Sequence, residues 1–394
     1  MLTTPTTSDA ATTGAAKSVG ASQRTTAPIV IVAGAIAPYT NRLYESYGAR
    51  GERNLHVLVC VDVEPQRKWA MPVASRYALK VLPGVRRHIS DLRNIYFNPT
   101  VILELIRSRP SAIFIGSFSP TMLLAGLYAV ATRTPLGIMT DGSVEMDPGR
   151  WSRIHLAVRR MLIPRAAVGI GSSANSGRLL AHYGLAPERI FLMPIVPPWP
   201  APTAVAGYDE RPFDVLFCGA LEDSRKGAGF FTDVVIEAAR RGRGLAVRVA
   251  GDGPLREGME ARLADAGIAA RFDGFVQPDR LAEVYASAKC FLFPSRGDPW
   301  GLVANEAVQC GTPVIGSPHA VSSDELVLRF EAGASVPLDV AHWVVTLLDI
   351  LDDRERWTRH HEARLRAASW LSLDNAVDAL GRAIDTASSG RRVL

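Results

Sequence analysis

From Pro28 onward the chain alternates short unbroken apolar runs with longer stretches in which apolar residues return every three or four positions. Ile29-Val30-Ile31-Val32-Ala33 and Leu55–Val61 have the length of buried strands and are separated by a helical stretch around residues 42–49. Ala112–Ile115, Leu136–Met139 and Ala167–Ile170 repeat the theme. Strands that are apolar on both faces, alternating with amphipathic helices, imply a parallel sheet covered on both sides. The run Val196-Pro197-Pro198-Trp199-Pro200-Ala201-Pro202, continuing to Pro212, excludes a regular helix or a central strand and predicts a linker over 197–212.

After the linker the alternation restarts. Strands are expected near 214–218, 245–250, 270–274, 290–293 and 313–316, and helices near 228–242, 254–266, 278–287, 301–310 and 339–352. The resulting fold class is α/β, with two doubly wound parallel sheets, one over 28–196 and one over 213–370, facing each other across a cleft. In such sheets ligands bind at the carboxyl ends of the strands. A last helix is expected within 371–394. Residues 1–27 are rich in Ser, Thr, Ala and Gly and predict a disordered tail.

Composition narrows the function classes. A chain of 394 residues with 47% hydrophobic positions holds enough apolar material for two ordinary cores. No run approaches the length of a membrane-spanning helix, and the N-terminus lacks the order of a secretory signal. Cys60, Cys218, Cys290 and Cys310 fall in or beside strand-like runs without metal-type spacing, as buried thiols of a reducing compartment would. A cytoplasmic protein is expected. Residues 1–200 carry 22 Lys/Arg against 11 Asp/Glu, and the remainder 22 against 28, so the halves differ in charge. A basic first half suits an anionic acceptor or membrane surface. Its arginines are scattered, with no recognisable nucleic-acid module, so nucleic acid is not an expected partner.

The chemistry concentrates in Asp298-Pro299-Trp300-Gly301-Leu302-Val303-Ala304-Asn305-Glu306, followed by Gly311-Thr312-Pro313-Val314-Ile315. The glycine opens a helix whose first amides, at Gly301, Leu302 and Val303, lack intrahelical partners and sit at the positive end of its dipole. Such a tip favours a phosphate. Glu306, deeper in the helix, and Asp298, before it, are placed to accept hydroxyl hydrogen bonds. A phosphate flanked by two hydroxyl-binding acids fits a nucleotide sugar.

This acidic pair, with its spacing and the Gly-x-Pro-Val-Ile strand, resembles the signature of the family 4 retaining glycosyltransferases of GT-B fold. Asp298 stands where that family usually has a first Glu. Asp214–Gly219, Lys226-Gly227, Val249-Ala250-Gly251-Asp252-Gly253-Pro254, Phe272–Val276 and Cys290–Ser295 are similar to further family motifs in family order. The similarity is close over residues 214–317, and the first half matches in layout only. It implies two Rossmann-like domains and a closing helix that crosses back to the first domain. It also implies hexosyl transfer from a nucleotide sugar to an acceptor hydroxyl with retained configuration and no metal or other cofactor, in polysaccharide or glycolipid synthesis. Lys226 and Arg225 would then neutralise the leaving diphosphate, Glu306 would bind the ribose, Asp298 a sugar hydroxyl, and Phe275 and Val276 the base. The family usually has an arginine six residues before the lysine; here that position is Ala220, so either Arg225 substitutes for it or donor binding and rate are reduced. A catalytically weakened scaffold that binds a nucleotide sugar or a glycan, and a sugar-nucleotide epimerase of the same fold, are the alternatives.

On the acceptor side Gly34-Ala35-Ile36-Ala37-Pro38 is a small-residue strand exit that is not GxGxxG, so a dinucleotide cofactor is unsupported. Its Gly34 and Ala35 let backbone approach a donor phosphate or an acceptor. Asp141, after the strand at 136–139, is a candidate to orient the acceptor hydroxyl, with helix capping as its plainer role. Reading Asp141 to Asp147 as a metal loop lacks convergent ligands. Trp151, Ile154, Val158 and Met161 form a stripe flanked by arginines, suited to packing on the sheet or to lying on an anionic membrane beside a lipid-linked acceptor. His155 reads as structural.

Overall fold

The computed structural model describes residues 27–63, 73–90 and 93–389. The expected tail, Ala27 excepted, lies outside the described residues, as does the end of the chain after Ser389.

Two parallel sheets form the frame. The first runs β1 (Ile29–Ala33), β2 (Leu55–Val59), β3 (Ala78–Val81), β6 (Ala112–Ile115), β7 (Leu136–Thr140), β8 (Val168–Gly171) and β9 (Ile190–Leu192), with β4 (Val85–Ser90) and β5 (Arg93–Phe97) forming a separate antiparallel hairpin. Its spatial order is β3-β2-β1-β6-β7-β8-β9. The second contains β10 (Phe213–Cys218), β11 (Val247–Ala250), β12 (Ala270–Gly274), β13 (Ala288–Phe293), β14 (Val314–Gly316) and β15 (Gly333–Ser335), in the order β12-β11-β10-β13-β14-β15. Both are the doubly wound α/β architecture expected from the apolar runs.

The strands omitted from the sequence-based assignment are those that lack its signal. Ala78–Val81 is an exposed edge strand that includes Lys80, the hairpin is rich in arginine, and β9 and β15 are three residues each. Short or edge strands need not be apolar on both faces, so an unbroken apolar run does not mark them.

Each sheet is packed on both sides. Val30, Val32, Ile113 and Ile115 face one cluster with Leu105, Met122 and Leu162, while Ile29, Ile31, Val57 and Phe114 face another. Into that second cluster comes the last helix, Leu373–Ser388, which buries Ala376, Val377, Leu380, Ala383 and Ile384 against the first sheet. The polypeptide thus returns to its first lobe after completing the second. Arg211 ends the proline-rich crossing. It is buried and donates to the carbonyls of Ala288, Cys310 and Gly311 and to the Thr312 hydroxyl, so its charge is spread over several acceptors.

The lobes are also joined across the groove. Asn305 Nδ2 donates to the Ile195 carbonyl at 2.6 Å. Glu325 of the second lobe accepts the backbone amides of Ala174 and Asn175, both at 2.6 Å, at the start of the first-lobe helix Ala174–His182. A carboxylate there satisfies otherwise orphaned amides and meets the positive helix end.

Candidate active site

The carboxyl ends of both sheets open on one interlobe cavity of about 600 Å³. Its walls bring together Gly34, Ala35 and Asp141 from the first lobe with Arg225, Lys226, Phe275, Val276, Asp298, Gly301, Leu302, Val303 and Glu306 from the second. Every residue selected from the sequence therefore reaches the same space.

The helix Leu302–Gln309 owes its start to Gly301, whose φ of 94° lies in the left-handed region. A Cβ at Gly301 would lie 2.7 Å from the Ser322 hydroxyl oxygen and 2.8 Å from the Phe293 ring. Only glycine admits both that turn and that approach. Asp298 is set ahead of the helix by a single parallel bridge to Ala320, its amide donating to the His319 carbonyl at 3.1 Å. Trp300 is buried and donates its indole N–H to Asn305, which locks the segment between Asp298 and the helix.

Lys226 Nζ lies 2.7 Å from Asp298 Oδ2, and an Arg225 guanidinium nitrogen 3.8 Å from the same oxygen. All three side chains are largely shielded. Glu222 braces this loop from beneath: its carboxylate accepts the amides of Arg225 and Lys226, both at 2.9 Å. Asp223 accepts the Gly229 amide at the start of the next helix, and Arg296 donates back to the Asp223 carbonyl. Gly227, at φ 69°, turns the chain against the Pro294 carbonyl, where a Cβ would sit at 2.1 Å. The two cations are therefore held toward the cavity by hydrogen bonds to their own backbone. Ala220 is exposed and carries no charge, while Arg225 lies in the cavity wall beside Lys226.

Glu306 is buried, and one of its oxygens accepts the Tyr285 hydroxyl at 2.7 Å. Burial pushes its carboxyl up to about 7; the Tyr285 bond and the charge of Lys226 act in the opposite direction. At neutral pH it is poised between its acid and its carboxylate. Tyr285, itself fully buried, was not selected from the sequence. It ends a short helix before β13 in a run, Val284-Tyr285-Ala286, that reads as ordinary core.

Across the cavity Asp141 follows β7. Its side chain is open to solvent in the groove, yet protein rings it on both sides. Desolvation and the negative charge of Asp298 raise its pKa, against a backbone hydrogen bond that lowers it. The water in the groove keeps that rise below what full burial would give. The capping role weighed for Asp141 is not the observed one: Gly142 N donates to Thr140, and the nearest helical turn, Pro148–Arg150, is capped by Asp147. Asp147 is wholly engaged elsewhere, 2.6 Å from the buried Arg159 and bonded to Gly149 N and Tyr183. Asp141 and Asp147 thus serve different places, as the lack of convergence implied.

The arginine-flanked stripe splits into two pairs. Val158 and Met161 pack on the first core, whereas Trp151 and Ile154 are 72% and 76% exposed. The helix Arg153–Leu162 starts later than the stripe, capped by Ser152, and this leaves Trp151 outside the packed face.

Residues 212–353 match the family model described as Glycosyl transferases group 1. The match lies within the second lobe. The chain is 26% identical over 287 residues, 66% of its length and 54% of the relative, to the sulfoquinovosyl transferase SQD2 of Arabidopsis thaliana. It is 34% identical over 238 residues, 53% of its length and 50% of the relative, to the D-inositol 3-phosphate glycosyltransferase of Rhodococcus opacus (strain B4). The chain spans about half the length of these curated relatives. Among solved structures, the Anabaena protein Alr3699/HepE in complex with UDP superposes over 91% of this chain and 100% of its own with a TM-score of 0.67 at 15% identity. The lipopolysaccharide outer core galactosyltransferase WaaB gives 0.64 at 14% identity over 90% of this chain and 99% of its own. The fold is GT-B: two parallel-sheet α/β domains facing across a cleft.

Proposed function

We propose that the chain is a retaining glycosyltransferase that moves a hexosyl group from a nucleotide sugar to an acceptor hydroxyl in polysaccharide or glycolipid synthesis. The observation that carries this reading is the meeting of Lys226, Arg225, the helix tip at 301–303 and Glu306 in one interlobe cavity. The UDP bound by the Anabaena neighbour supports the donor class.

In this reading the bond between the anomeric carbon and the diphosphate oxygen breaks while a bond from that carbon to the acceptor oxygen forms on the same face, and the acceptor hydroxyl's proton passes to the departing diphosphate oxygen. Negative charge grows on the departing diphosphate. Lys226, Arg225 and the helix-tip amides face that charge before the reaction begins, so they need not reorganise as it develops. Asp298 keeps the Lys226 ammonium aimed into the cavity and is released to bind a hydroxyl of the sugar when the diphosphate takes over the cation. Glu306 gives one oxygen to Tyr285 and the other to a ribose hydroxyl. Asp141, on the opposite wall, orients the acceptor hydroxyl. Phe275 and Val276 border the cavity where the base would lie. These groups supply the charge neutralisation without a metal, so chelators are expected to leave the rate unchanged.

The acceptor is a lipid-linked or other glycan, and the exposed Trp151 and Ile154 with Arg150, Arg153 and Arg160 give a surface for peripheral contact with an anionic membrane. Among the described residues no helix is long and apolar enough to cross one. A cytoplasmic location, on the inner face of the membrane, accords with these features.

The test is nucleoside diphosphate release from a panel of nucleotide sugars, with the anomeric configuration of the product read by NMR. Release that is lost in Lys226→Ala supports transfer. Tight donor binding without release would replace it with the scaffold reading, and conversion of the donor sugar without acceptor with the epimerase.

A further inference from the structure

A second cavity, of about 260 Å³, lies behind the acceptor wall. It is bordered by the ends of β1, β6, β7, β8 and β9, by the helix Pro38–Ala49 and by the crossing helix Leu373–Ser388, and is open on one side. Gly34, Ala35, Tyr39, Asp141 and Ile195 line both this chamber and the interlobe cavity, so the two spaces communicate past Asp141. The chamber itself is walled by Leu43, Met139, Ile170, Met193, Val196 and Leu373. Among its lining residues Asp141 alone carries an ionisable carboxylate, and no Lys, Arg or His is present.

We propose that this chamber takes the hydrocarbon part of the acceptor, so that the acceptor is an amphiphile whose hydroxyl is held at Asp141 while its apolar body lies between the sheet and the crossing helix. The proposal rests on the transferase reading and deepens it by naming the acceptor class. Three features lead to it. Apart from Asp141 the side-chain polar groups of the wall are the hydroxyls of Tyr39, Thr40, Tyr44, Thr140 and Ser172, of which Thr140 and Ser172 are already bonded to the Gly142 amide and to Ser176. A polyhydroxylated acceptor moving past Asp141 would therefore leave most of its hydroxyls against apolar side chains, and stripping water from unpaired hydroxyls is unfavourable. An alkyl group loses nothing there and gains from leaving water. Met139 and Met193 both line the chamber, and their unbranched, adaptable side chains reshape around an apolar guest. Small-molecule sites begin at roughly 300 Å³, so the chamber accommodates a short chain or one ring rather than a whole lipid.

The test uses the full chain and methyl, butyl, hexyl and octyl β-D-glucopyranosides, each below its micelle concentration, with thermal stabilisation measured in the absence of donor. Saturable binding should tighten along the series by at most about fourfold per methylene, then level off when the chamber is full. Ala376→Leu, which fills the chamber from the crossing helix, should erase the gain from chain length. Thr40→Leu does the same from the other wall and serves if the first variant does not fold. Donor hydrolysis by water should be unchanged in both variants. Equal binding of methyl and octyl glucoside, or a chain-length gain that survives in folded filling variants, overturns the chamber. If octyl glucoside binds as described but no nucleotide sugar is turned over with any acceptor, the chamber stands and the transferase reading falls. Turnover with no chain-length dependence has the reverse meaning.

Discussion

On the second-lobe wall of the cleft, polar groups are held by other polar groups. Glu222 fixes the backbone that carries Lys226 and Arg225, Asp298 holds the Lys226 ammonium, and Tyr285 holds Glu306. On the first-lobe wall Asp141 is the one charged group lining a chamber whose other side chains are apolar or carry hydroxyls. The two lobes share one architecture and differ in what lines the cleft: fixed charges and amides on the second lobe, a largely apolar surface on the first, which the proposed function assigns to donor and acceptor respectively. Fixed charges constrain the sign of the group at each position. An apolar wall tolerates many sequences of equal volume.

This contrast can be broken in several ways. The largest effect is expected from Lys226→Ala, which should slow nucleoside diphosphate release by about 10²–10³-fold, measured by steady-state kinetics with saturating acceptor. A loss below tenfold would shift the weight of catalysis to Arg225 or to the helix tip.

Glu306 gives two opposed pH slopes. Its folded pKa of about 7 is raised above the ordinary value of 4.5, so the native state holds the proton more tightly than the unfolded chain does. Stability is therefore greatest below about pH 4.5 as far as this group is concerned, falls as pH rises toward 7, and is level above that, with a total loss of about 3 kcal/mol at most. Donor affinity should run the other way, strengthening as the carboxylate forms. Glu306→Gln should flatten both slopes in denaturation and donor titrations; a slope that persists assigns it to another group.

Asp141→Asn should reduce transfer to the acceptor by roughly tenfold while leaving donor hydrolysis by water intact, a split visible in the ratio of glycoside to free sugar. Equal loss of both would move Asp141 to the donor side of the contrast. The smallest effect is expected from Tyr285→Phe. Removing the hydroxyl should destabilise the fold by about 1 kcal/mol and, because that bond favours the Glu306 carboxylate, shift the donor-affinity profile to higher pH. An unshifted profile would show that the hydroxyl does not tune the acid.

The same contrast explains what the sequence revealed. Gly301, Glu306 and Lys226-Gly227 were legible because left-handed turns and phosphate-facing amides demand particular residues at fixed spacing. The long two-faced strands were legible because burial on both sides leaves an unbroken apolar run. Tyr285 was not: a buried tyrosine looks like core until its hydroxyl is seen on Glu306. Glu222 and Asp223 belong to no such motif, although they hold up the Lys226 loop. The chamber was invisible for another reason. Leu43, Met139, Met193 and Leu373 come from four distant stretches, and each is an unremarkable apolar residue in its own element. Nor could a periodic pattern tell that Trp151 would fall before the helix, whose start is set by Ser152, or that Ile154 in its first turn would be left exposed.

The carboxylate of Glu325 on the Ala174 and Asn175 amides spans the mouth between the lobes. Swinging the lobes apart must break both of these charge-assisted bonds and return the Ala174 helix end to water, where solvent replaces most of what is lost. Such a fastening favours the shut arrangement only slightly and gives way without unfolding anything. On the transferase reading it suits release of the spent nucleotide after each turnover, and Glu325→Gln should then speed departure of nucleoside diphosphate more than it alters melting.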